Sequence, residues 1–293
     1  MQDQAEQLRQ MMRGRGGGNN GAAPVRNRTR IIAVSSGKGG VGKTNISTAL
    51  AIAYAKIGKK VILLDADLGL ANVNVVMGII PKYNLYHLME RQRSIKEIIL
   101  DTEYGVKIVA GASGFSKIAN LGEEEREYFI EEMSQLSNAD IVIVDTGAGV
   151  SDNVISFISA ADDAVIVTTP EPTAITDAYS IIKIIAGEVD NSRLSIKLLV
   201  NRVQSVKQGK DVAGKIIGIA GQFLNLKVDY LGYVMEDPAV LNAVLRQRPF
   251  FDLSPSCKAS ECIRHIVGRL ENIEYKEGSG VTSFLKRMFA KNG

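Results

Sequence analysis

Tryptophan is absent from these 293 residues, aromatic residues make up only 6%, and cysteine occurs twice. Two cysteines, Cys257 and Cys262, give no disulfide framework. Their C-x₄-C spacing falls inside a helical pattern, which is not a persuasive metal-site spacing, so they read as reduced thiols. No stretch approaches the ~18 consecutive apolar residues of a transmembrane helix. The N-terminus lacks the apolar core of a signal peptide. The expected location is therefore the cytoplasm. A formal net charge of +3 is too small to call for nucleic acid by itself. What is present is a hydrophobic content of 45%. The length allows one large domain or two small ones, and this composition suits an α/β enzyme with an ample core.

The core alternates β-rich runs with longer helical patterns. The strand candidates are Ile31–Ser35, Val61–Asp65, Val106–Ala110, Ile141–Asp145, Ala164–Thr169, Ile196–Asn201 and Tyr230–Val234. Helical patterns fall at Asn45–Lys56, Glu123–Leu136, Thr173–Gly187, Lys210–Leu224 and Cys257–Leu270. Strands that are apolar throughout, separated by helices, predict a single-domain α/β fold. Its mostly parallel sheet is covered by helices on both faces. The expected organisation is an arm and linker over 1–28, the domain over 29–274, and a hinge with an amphipathic helix over 275–293.

One stretch organises the chain. Gly37, Lys38, Gly39, Gly40, Val41, Gly42, Lys43 and Thr44 follow an apolar strand and precede a helix that begins with Asn45. They fit G-x-x-x-x-G-K-[ST], the loop that cradles phosphates. Glycines let the backbone turn several N–H groups toward one phosphate chain. The helix start adds a positive dipole end. Lys43 supplies a charge at the β/γ-phosphates, and the Thr44 hydroxyl is placed to ligate Mg²⁺. Two further strands end in carboxylates, at Asp65 with Asp67 and at Asp145. Such groups beside a phosphate loop point to Mg²⁺ and water chemistry. Gly147 and Gly149 after Asp145 allow a loop that responds to the γ-phosphate.

The run Lys38-Gly39-Gly40-Val41-Gly42-Lys43-Thr44 resembles the deviant phosphate loop of the MinD/ParA ATPases. The resemblance extends from about Thr29 to about Arg269, and the pattern is nearest the flagellar-number regulators of the FlhG group. It implies an ATP- and Mg²⁺-dependent ATPase that forms a homodimer with ATP. Lys38 would reach across the dimer to the partner's nucleotide. Asp67 would orient the attacking water, and Asp65 and Asp145 would stand near Mg²⁺ through water. Guanine-selective relatives carry Asn-Lys-x-Asp after a late strand, and here that site reads Asn201–Arg202–Val203–Gln204. A neutral amide at Gln204 and a purine-pairing Asn201 favour adenine. The resemblance places Asp237 and Pro238 near the base. Glu171 opens a helix that faces the nucleotide or the dimer interface, although a dipole role at the helix start is equally open.

Both ends carry further signals. Val281, Phe284, Leu285, Met288 and Phe289 form one apolar helical stripe beside Lys286, Arg287 and Lys291. A basic amphipathic helix can lie in an anionic membrane surface or dock on the protein's own core. MinD-type proteins end in a similar membrane-targeting sequence, which implies reversible attachment to the inner face of the cell membrane. At the other end, Asp3, Gln4, Leu8 and Arg9 fit the D-Q-A-x-x-L-R activator motif of the FlhG group. That motif implies FlhF, a relative of the signal-recognition-particle GTPases, as partner, with flagellar switch or C-ring proteins as further candidates. Gln2–Met12 has helical composition and little to bury, and Gly14–Asn20, continued loosely by Gly21–Arg30, reads as a flexible linker.

Three other readings compete. A partitioning or division-site ATPase without a flagellar role would use the same loop. Its DNA-segregating form needs a basic surface, which the charge balance disfavours, so no sequence-specific nucleic acid is expected. An iron–sulfur carrier needs C-x-x-C cysteines, which are missing. A nucleotide-gated adaptor without turnover would not need Asp67.

Overall fold

The computed structural model describes residues 29–67, 72–111, 123–189 and 194–272. The candidate arm residues Asp3, Gln4, Leu8 and Arg9 lie outside them, as do the candidate membrane residues Val281 to Phe289. Eight strands form one sheet: β1 (Arg30–Ser36), β2 (Val61–Ala66), β3 (Ile99–Asp101), β4 (Val106–Val109), β5 (Ile141–Ala148), β6 (Asp163–Thr168), β7 (Ser195–Val203) and β8 (Asp229–Met235). Their spatial order is β3-β4-β2-β5-β1-β6-β7-β8. Every pairing is parallel except β3 with β4. The expected parallel sheet is present, with an added antiparallel edge strand. That strand has just three residues, too few for an alternation pattern to reveal it.

Alternating residues feed both faces. Ile32 and Val34 pack into one core and Ala33 into another, while Val61 and Leu63 oppose Ile62 and Leu64. The first face is covered by α1 (Lys43–Lys56), α2 (Val73–Met77), α9 (Pro238–Leu245), α10 (Phe250–Leu253) and α11 (Lys258–Leu270). The second is covered by α3 (Leu85–Met89), α4 (Ile95–Ile98), α5 (Glu123–Ser134), α6 (Asp152–Ala160), α7 (Pro172–Glu188) and α8 (Val206–Leu224). A 3₁₀ turn, Gln135–Asn138, ends α5. Helix α1 runs under the centre of the sheet, with Ile46, Leu50, Ile52 and Tyr54 all fully buried. Each such side chain contributes on the order of 1.5–3 kcal/mol by leaving water.

Arg30 fixes the lower end of the sheet. Its guanidinium donates to Asp163 at 2.7 Å, to the Leu270 carbonyl at 2.7 Å and to Glu271 at 3.0 Å. The first strand and the last helix are thereby tied together, so both ends of the domain lie at the strands' amino-terminal edge. Among the described residues, no helix is long and apolar enough to cross a membrane.

Candidate functional site

The loop between β1 and α1 lies at the carboxyl ends of the central strands, where open parallel sheets place their ligands. Gly42 precedes α1 with φ 96°, a left-handed conformation, and makes no side-chain cap to the helix. The first N–H groups of a buried helix are thus left for a ligand. A Cβ at Gly42 would also stand 2.5 Å from the Asn201 amide nitrogen. Gly37 is constrained differently. A Cβ there would collide with the Asp177 carbonyl, because α7 passes directly against the loop.

Lys43 is the first residue of α1 and is 7% exposed. Burial lowers its pKa, while the nearby Asp145 and Asp67 carboxylates pull the other way. Asp145 is fully buried near the end of β5. Ser47 Oγ donates to its Oδ1 at 2.8 Å, but its buried Oδ2 has no hydrogen-bond partner. Burial raises the Asp145 pKa to about 6, against the opposing effects of Ser47, Thr44 and Lys43. Asp65, fully buried on β2, stands opposite Asp145 in the strand register. Burial and the charge of Asp145 raise it to about 7, although the Asp67 and Val73 backbone N–H groups donate to it at 3.1 and 3.3 Å. Asp67 accepts from the Asn72 amide at 3.2 Å, just outside the strand.

This donor set fits Mg²⁺. Two buried carboxylates repel each other, one of them keeps an oxygen with no hydrogen-bond partner, and the Thr44 hydroxyl stands beside them. Among the described residues no group of three or more His, Cys, Asp or Glu forms a metal cage. Mg²⁺ does not need one, since it keeps waters and phosphate oxygens and uses one or two carboxylates.

The remaining candidates are dispersed around the loop. Lys38 is 38% exposed and turns to α7, where its ammonium donates to Thr173 Oγ1 at 2.8 Å and lies 3.4 Å from Glu171 Oε2. Glu171 occupies the N-cap position of α7 without making a side-chain cap, so its nearest polar role is toward Lys38. Asn201 donates from Nδ2 to the Val41 carbonyl at 2.8 Å and accepts from the Arg202 N–H at 2.9 Å. It therefore braces the phosphate loop. Arg202 itself sits in the left-handed region with φ 55°. Asp237 caps α9 through the Ala239 N–H at 2.9 Å and reaches the Ala259 N–H at 3.4 Å, with Pro238 as the first helical residue.

Sequence reasoning missed Ser47, Asn72, Thr173 and Asp177. Ser47 was within reach, because it lies four residues after Lys43 and so shares its helix face. Asn72 precedes α2, while Thr173 and Asp177 both lie on α7, and only the fold brings them to the site.

A phosphate loop at the head of a central helix, with two buried strand-end carboxylates facing it, defines a P-loop nucleoside triphosphatase. A family model described as an AAA domain matches residues 29–198. The antiactivator FleN of Pseudomonas aeruginosa is 38% identical over 83% of this chain and 86% of that protein. The flagellum site-determining protein YlxH of Helicobacter pylori is 36% identical over 89% of this chain and 90% of that protein. The MinC:MinD cell division complex of Aquifex aeolicus matches in structure with TM-score 0.69 and 26% identity, over 85% of this chain and 98% of that one. The chain belongs to the MinD/ParA-type ATPases, in the branch that holds FleN and YlxH. It binds ATP and ADP and hydrolyses ATP.

Proposed function

We propose that this ATPase is a membrane-cycling switch that sets flagellar number or placement. ATP dimerises it, the dimer attaches to the membrane, and its N-terminal arm activates the FlhF GTPase. The names of its FleN and YlxH relatives support the flagellar part. The placement of Lys38 carries the switch. Its ammonium rests on α7, partly in solvent, held by the exposed Thr173 and Glu171. Exposed ion pairs of this kind are worth little, so Lys38 is readily released toward a partner's nucleotide.

The roles of the other residues follow from their positions. Lys43 and the N–H groups of the loop hold the β/γ-phosphates. Mg²⁺, when bound, neutralises charge on the phosphates. Thr44 would ligate that ion, with Asp145 and Asp65 standing near it through water. Asp67 lies just past β2, where it orients the attacking water. Asp65 also holds the Val73 N–H, the first donor of α2. A change at the γ-phosphate is thereby transmitted to the segment leading into α2. The C-terminal stripe buries few large side chains, so one copy binds lipid marginally. A dimer presents two copies, and the second binds at raised effective concentration.

Light-scattering chromatography with ATP or ADP, with and without anionic vesicles, tests the cycle. The wild-type chain dimerises and co-elutes with vesicles in ATP only. Lys38→Ala stays monomeric in ATP yet binds ADP nearly as well. A Lys38→Ala chain that dimerises normally would remove the trans role of that lysine.

A further inference from the structure

At the sheet's amino-terminal edge, opposite the phosphate loop, lies a cavity of about 620 Å³. Its floor is apolar, built from Val61, Ile62 and Ile95. Four lysines stand around it: Lys59, Lys60, Lys96 and Lys107. Two of them are already engaged, Lys59 with Glu271 at 3.5 Å and Lys107 with Asp101 at 3.1 Å. Lys60 and Lys96 have no acidic side-chain partner among the described residues. The neighbouring carboxylates are occupied elsewhere. Asp140 accepts from the Lys60 backbone N–H, Glu132 from the Ile95 N–H, and Glu97 from Ser94 and Arg93. An apolar floor under two ammonium groups that make no ion pair among the described residues suits a short segment that is apolar on one side and acidic on another.

We infer that the chain's own first 12 residues are that segment, docked in cis. The point of departure supports it. Thr29 Oγ1 donates to the Ala139 carbonyl at 2.7 Å, and Ala139 lines the cavity. The 28 residues before Thr29 therefore leave the domain at the cavity's edge. Charge supports it too, because Asp3 and Glu6, one helical turn apart, outnumber the single basic side chain of that stretch, Arg9. Met1, Ala5, Leu8 and Met12 fall on one narrow stripe at helical spacing. Such a stripe is too small to make a core alone, and it matches a floor of a few side chains. The tether of about 16 residues has a root-mean-square reach of roughly 20–24 Å, ample for a return to a wall bonded to Thr29. Tethering also holds the segment near millimolar effective concentration, so weak contacts suffice. Docking keeps the arm on the domain and withholds it from any second protein. This goes beyond the switch reading and holds whether or not that reading does.

Carbodiimide joins carboxylates to amines only where they touch. Treatment of the dilute full-length protein, followed by peptide mass spectrometry, should link Asp3 or Glu6 to Lys60 or Lys96. In a mixture of isotopically light and heavy chains, those links should join peptides of one kind only. The double variant Lys60→Glu/Lys96→Glu should lose the docking and be cut by trypsin at Arg9 several-fold faster, with nucleotide binding unchanged. Adding Asp3→Lys and Glu6→Lys to that variant should restore slow cutting at Arg9. Links to other lysines alone, light–heavy mixed links, or equal cutting rates for wild type and the double variant would each overturn the cis-docked arm.

Discussion

Asp65 and Asp145 face each other in register on the adjacent parallel strands β2 and β5, both fully buried. Burial lifts Asp65 to about 7 and Asp145 to about 6, from an ordinary value of 3.8. Neither strand needs a carboxylate for packing. The pair is held at a cost that a bound cation relieves, which is why its location reports function more sharply than the surrounding core does.

A pH dependence follows. Both folded-state values lie above the unfolded ones, so the folded chain binds more protons between about pH 4 and pH 7. Stability of the nucleotide- and metal-free chain therefore falls as pH rises through that window. Thermal melts at pH 5.5 and pH 8 should show this loss, and Asp65→Asn should reduce it. Magnesium nucleotide should raise the melting temperature more at pH 8 than at pH 5.5. Identical pH slopes for wild type and Asp65→Asn would show that Asp65 is ionised at little cost.

Ser47 holds Asp145 from the protein side, together with Thr44 and Lys43, through the 2.8 Å bond to Oδ1. Ser47→Ala leaves a buried carboxylate without that donor. The expected loss is about 1–3 kcal/mol in denaturant titrations, with an unchanged slope. Saturating magnesium nucleotide should recover part of it by giving Asp145 another partner. A loss below about 0.5 kcal/mol, the range of ordinary surface substitutions, would mean that Asp145 draws its support elsewhere.

Much of the sheet was legible because buried parallel strands are apolar throughout, and the phosphate loop was legible because its chemistry admits few residue types. Every strand of the parallel set could be read in this way. The short helices α2, α3, α4 and α10 could not, because four or five residues hold too little of a 3.6-residue period. Strand β3 escaped for the same reason. At the site, Lys43 and the carboxylates announced themselves by local spacing. The bracing of the loop by Asn201 did not, since its partner Val41 lies 160 residues away and the contact exists only once β7 is beside the centre of the sheet.

That bracing gives a prediction about nucleotide choice. Asn201 supports the loop through Val41, and the neighbouring Gln204 offers no carboxylate to a guanine. Calorimetry should find tight ATP and weak GTP binding. Asn201→Ala should weaken both by roughly 5- to 150-fold, because it orphans a buried carbonyl worth about 1–3 kcal/mol. Gln204→Asp should instead narrow the gap between ATP and GTP. Equal affinities for the two nucleotides in the wild-type chain would sink the argument from Gln204.

The last prediction concerns the arm as an activator. Asp3 to Arg9 is shorter than the ~12–15 residues of even a marginal isolated helix, so a partner or the domain must order it. Gln4 and Arg9 carry the chemistry a GTPase site can use: an amide to position water, and a guanidinium to stabilise the transferring phosphate or to anchor the segment. A peptide of residues 1–20 should therefore accelerate GTP hydrolysis by FlhF with the ATPase domain absent. Gln4→Ala or Arg9→Ala in that peptide should lower the stimulation, and the same changes in the full chain should leave its ATP binding untouched. Loss of turnover with binding retained marks a residue that acts on the reaction, whereas parallel loss of both marks an anchor. If the peptide binds FlhF and GTP turnover does not change, the arm is a tether and the activator reading fails.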